Sequence, residues 1–92
     1  MDKEVLIDMY ASLTLVKNTI PKMLERRSIV DILNNYHALK DVQEYFSNKV
    51  NTDPKGTYWE QEIVDCCSES IEMIVNYFST YMEKFLIKNK RL

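Results

Sequence analysis

His37, Cys66 and Cys67 carry the side chains best suited to acid–base, redox or metal chemistry in this chain of 92 residues. His37 is the only histidine, so metal sites of the His-His or His-Cys type lack ligands. The two cysteines are neighbours in sequence; they cannot staple distant segments, and a bond between them would be strained. A vicinal pair also supplies too few thiolates for a structural zinc site, and no second pair exists. Arg27 and His37 suggest a basic pair for phosphodiester chemistry, but ten residues of helix rotate by about 280° and separate them onto different faces. A single glycine rules out a Gly-rich phosphate loop, and neither G-x-S-x-G nor H-E-x-x-H occurs. No catalytic group, cofactor site or metal site is expected, and the chain reads as a non-enzyme.

The elements that would position any site are helices. The chain is 46% hydrophobic and 28% charged, with one Gly and two Pro. So few turn-formers cannot punctuate a many-stranded sheet. An all-α fold is expected, a single domain over 1–92 that buries about 60–65% of its unfolded surface. A net charge of −2 counts against a surface that coats nucleic acid. Met1-Asp2-Lys3-Glu4 places acids where a secretory leader would be basic. The most apolar stretch, 70–82, is interrupted by Glu72, Asn76 and Ser79, short of the roughly 20 apolar residues of a membrane span. With no disulfide framework, a reducing compartment is expected, the cytoplasm of a bacterium or of a host cell.

The periodicity predicts a small antiparallel bundle of three main helices, at about 2–20, 28–50 and 57–88. Leu6, Met9, Leu13, Val16 and Ile20 form the stripe of the first. Pro21 should end or kink it, which makes 21–27 either a short separate turn or a bent continuation. Ser28 and Asp31 resemble a capping box at the start of the second helix. Its seam is Ile32, Leu39, Val42 and Phe46, widened by Ile29, Leu33 and Tyr36. A loop follows at 51–56, where the only Gly stands near Pro54. Thr57 to Glu60 is a full capping-box pattern for the third helix. Its seam, Val64, Cys67, Ile71, Ile74, Phe78, Tyr81 and Phe85, keeps a heptad rhythm. Ile63, Val75, Tyr77 and Met82 widen that seam, which suits a bundle more than an isolated coiled coil.

At 1.5 Å per residue the second helix should span roughly 33 Å and the third roughly 48–50 Å, so the third outruns its partners. Phe78, Tyr81, Met82 and Phe85 on that end are candidates for self-association, most simply as a homodimer. A second candidate surface is acidic. No Lys or Arg lies between Tyr58 and Glu83, and Glu62, Asp65, Glu69 and Glu72 step by 3-4-3 along one face. Such a strip suits a protein partner with a basic surface. The leading expectation is therefore a small protein-binding regulator or inhibitor that acts through this acidic face. The alternative is a dimeric nucleic-acid-binding regulator using Arg26, Arg27 and the basic tail with Lys84 and Lys88; the acidic ladder, which repels phosphate, disfavours it.

Overall fold

A computed structural model describes the backbone of residues 2–26 and 28–90, with side chains through Tyr81. The chain forms three helices: α1 (Lys3–Arg26), α2 (Ile29–Thr52) and α3 (Tyr58–Lys90). No strand occurs among the described residues. α1 and α2 each pack along α3 and touch one another only slightly. The expected all-helical bundle is what the sequence builds, with α3 as its spine.

Side-chain pairs set the directions. Tyr10 meets Trp59 with ring centroids 5.7 Å apart, and the Lys17 Nζ lies 2.8 Å from the Glu69 Oε2, so α1 runs parallel to α3. Gln43 donates to the Ser68 Oγ at 2.8 Å, while Leu33 and Tyr36 share a groove with Val75 and Phe78, so α2 runs antiparallel. α1 lies against the Cys66, Glu69 and Met73 edge of α3, and α2 against the Val64 and Ser68 edge. Between these edges, Ile63, Cys67, Ser70 and Ile74 are all 0% exposed. Leu6 and Ile20 from α1, with Ile32, Leu39 and Phe46 from α2, complete the core.

Local chemistry settles one open alternative and departs from expectation at two places. At Pro21 the chain takes the continuation: α1 runs through it to Arg26. A proline in a helix interior costs about 3 kcal/mol, because the carbonyl four residues back loses its donor and the ring crowds it. Ile20, 1% exposed, with Met23 and Leu24 packed on the core, offsets that cost, and Pro21 itself sits on the exposed face. Ser28 occupies the N-cap of α2 in an extended conformation, but its hydroxyl makes no capping bond. Thr57 stands at the start of α3, yet its hydroxyl donates to the Pro54 carbonyl at 2.7 Å and accepts from Gln61. It closes the loop, whose Gly56 takes a left-handed φ of 69°.

The buried line of α3 is also displaced from the heptad seam read in the sequence. Cys66 and Ser70 are inside, at 4% and 0% exposure, while Val75 and Tyr81 are 44% and 52% exposed. In α2, Ile29 and Leu33 are likewise 42% and 40% exposed, on the margin of the core.

The Ser70 Oγ is buried without a hydrogen-bond partner. Ser70→Ala should therefore stabilise the fold by about 0.5–1 kcal/mol through removal of a buried unpaired hydroxyl and gain in helix propensity. Urea unfolding measures this, and a loss of stability would show that the hydroxyl is satisfied. Pro21→Ala restores the missing donor on a solvent face and should add about 1–2 kcal/mol in the same assay; an unchanged midpoint would place the strain elsewhere.

Candidate interaction surfaces

The back of α3 carries Asp65, Glu72 and Asn76, all exposed, and Asp65 also lines a groove with Ser47, Val50 and Asn51 of α2. The four carboxylates expected to form one ladder divide between this back and the α1 edge. Glu69 is exposed but bonded to Lys17 of α1, and Glu62 is half-buried. At about 100° per residue, Glu62 and Glu69 stand nearer α1 than Asp65 and Glu72 do. The hydrogen bond from Lys17 to Glu69, with the carboxylate's charge, holds the Lys17 ammonium above its ordinary pKa. Among the described residues, Asp65 and Glu72 have no cationic partner.

The second surface is the end of the bundle where α3 emerges. From the Gln43–Ser68 hydrogen bond, α2 extends back 14 residues to Ile29, which brings its first residue opposite position 82 of α3. From the Lys17–Glu69 pair, α1 extends nine residues to Arg26, opposite position 78. Residues 83–90 of α3 thus continue past both helices by about 12 Å. Tyr81 registers the change. It lies on the same helical face as Ile63 and Ile74, but it is 52% exposed where they are 0%.

Beside this overhang is an open apolar groove lined by Leu33, Tyr36, Val75, Phe78 and Ser79. Phe78 is partly buried against the core, so it belongs to the bundle as well as to the groove. Leu33, Tyr36 and Val75 were read from the sequence as widening the core. The signal that would have separated them is their angular offset from Ile32, Leu39 and Ile74, which becomes decisive only when the helix positions are known. The side chains of Met82, Lys84, Phe85 and Lys88, and Arg27 entirely, lie outside the described residues. Arg26 is exposed at the end of α1.

The groups suited to chemistry are not brought together. His37 is exposed, with its ring edge-on to that of its sequence neighbour Tyr36 at a centroid distance of 5.5 Å. Cys66 and Cys67 are both buried, with Thr14 of α1 against Cys66. Burial pushes the Cys67 thiol up to about 11, and it raises Cys66 too, opposed by a hydrogen bond with Thr14 and by the Lys17 charge. Both are held as neutral thiols, small apolar fillers and not nucleophiles. Among the described residues no cluster of three or more His, Cys, Asp or Glu is placed to hold a metal ion. No helix there is long and apolar enough to cross a membrane.

Comparison with protein-family models, with characterised proteins and with solved structures matches none of them.

Because its folded-state value lies above the ordinary 9.0, the Cys67 thiol contributes stability that is complete below about pH 9 and lost as pH rises toward 11. Thermal melts should be steady near neutrality and fall in that alkaline window, with a smaller fall in Cys67→Ala. A thiol reagent at neutral pH should label neither cysteine until the protein unfolds; rapid labelling of the folded protein would contradict the burial.

Proposed function

We propose that this protein is a small protein-binding module, a regulator or inhibitor. It self-associates through the end where α3 outruns its neighbours and offers the acidic back of α3 to a partner with a basic surface. The observation that carries this reading is Tyr81, half-exposed on a face whose preceding residues are fully buried. A large apolar side chain left in water forgoes about 1.5–3 kcal/mol, and toward this end Ile29, Leu33, Val75 and Tyr81 are each 40% exposed or more. Leu33 and Val75 among them line one apolar groove, a kind of surface that marks interaction sites.

The acidic back supports the second half of the reading in reduced form. Lys17 compensates Glu69, and among the described residues Asp65 and Glu72 are the exposed members of the strip without a cationic partner. A helix face without cations forgoes the usual i,i+4 pairs. Charge complementarity of this sort sets partner choice and association rate more than affinity. Nucleic-acid binding through Arg26 and the basic tail is the weaker reading, because the same spine carries those carboxylates.

Asp65 is the exposed, uncompensated member of the strip farther from the overhanging end, so its reversal tests the acidic surface apart from that end. Asp65→Lys should weaken capture of the partner by about tenfold while the helical circular dichroism and melting temperature stay as in the parent. Equal capture by parent and variant would remove the acidic strip from the mechanism.

A further inference from the structure

The two reversals of the chain are built differently. Between α2 and α3 stand Pro54 and Gly56, the latter at a left-handed φ of 69°. Between α1 and α2 only two residues intervene, and from Lys22 to Asp53 the sequence holds neither Gly nor Pro. No turn residue compels a break there. Ser28 enters α2 at a φ of −78° and a ψ of 100°, and its hydroxyl makes no capping bond. The first N–H groups of α2 lack that acceptor, whereas in a continuous helix they would bond the last carbonyls of α1.

The packing of α1 is one-sided. It meets α3 through Tyr10 and Trp59, Thr14 and Cys66, and Lys17 and Glu69, yet scarcely touches α2. The α3 of a second copy offers the same contacts, and little is lost when α1 leaves its own α2. A short connection favours such an exchange, because a tight reversal constrains the closed chain and not the open one. Straightening also answers the mismatch in helix length. In the Gln43–Ser68 register, a helix that continues α2 backward carries residues 28 to 21 past positions 83 to 90 of α3. The backbone overhang, which neither α1 nor α2 now reaches, then has a neighbour along its length.

We infer that two copies of this chain exchange α1. Ser28 turns helical, and α1 and α2 join into one rod over 3–52. Each α1 then packs on the second copy's α3, about a two-fold axis beside Ser28. Lys17 of one copy pairs with Glu69 of the other, and Tyr10 with Trp59. Asp65 and Glu72 stay on the open back of α3. Arg26 and Asp31 suit separate helix ends, so the closed monomer holds at low concentration and the exchanged dimer forms at high concentration. The exchange rests on the self-association proposed above and names the element that carries it; the experiment separates the two.

Refolding of the full chain from urea at high protein concentration should give a dimer by sedimentation, and at low concentration a monomer. Ser28→Ala favours helix at the junction and should raise the association constant about fivefold. Insertion of Gly-Ser-Gly-Ser after Ser28 relaxes the reversal and should lower it about tenfold, with the monomer's melting temperature held. The deciding variant carries Lys17→Cys and Glu69→Cys, joined by a short bismaleimide; both side chains are open to solvent, 30% and 61% exposed. The native thiols are buried and do not compete for the reagent. On a denaturing gel the cross-linked dimer should run as two joined chains and the monomer as one. Dimers whose cross-links all fall within single chains overturn the exchange and leave surface self-association standing. A chain that stays monomeric at every refolding concentration overturns both.

Discussion

The line Ile63–Cys67–Ser70–Ile74 along α3 is the surface on which the fold closes, because α1 and α2 meet there from opposite edges and scarcely touch each other. Each fully buried isoleucine on such a line contributes about 1.5–3 kcal/mol relative to exposure, and neither outer helix has another partner against which to gain it. The small side chains of Cys66, Cys67 and Ser70 matter for the same reason. They let two helices approach the third closely, where larger residues would force the helices apart and open voids. The cost is visible in the unpaired hydroxyl of Ser70. Proline in the middle of α1 follows the same logic: packing of Ile20, Met23 and Leu24 onto α3 outweighs the missing backbone bond.

A spine flanked on two edges necessarily leaves two regions bare, its back and whatever length exceeds its neighbours. The functional reading of the molecule lives in those regions. Along the back the sequence supplies carboxylates, one of which is drawn into the bundle by Lys17. Past the ends of α1 and α2 the backbone of α3 continues alone among the described residues, and in sequence the apolar spacing continues with it.

Much of the scaffold was legible because it depends on local signals. Helix number, the loop with Gly56, the start of α3 after Thr57 and the continuity of α3 follow from period, turn residues and the absence of breakers. The positions of Leu6, Ile20, Ile32, Leu39, Phe46, Ile71 and Ile74 in the core follow from the same pattern. Hydrophobicity misled where a residue's burial depends on its angle to a neighbour. Leu33 and Val75 are apolar and yet half outside; Cys66 and Ser70 are small or polar and yet inside.

By itself the sequence determined that the chain is three helices with an excess of length and of negative charge on the third, since periodicity and composition act within a few residues. Only the tertiary structure decided which face of α3 is shared, which carboxylate is neutralised and where the apolar seam comes out into solvent. Those outcomes depend on the edges against which α1 and α2 settle, and that is fixed by contacts such as Lys17 with Glu69 and Gln43 with Ser68, distant in sequence and without local signature.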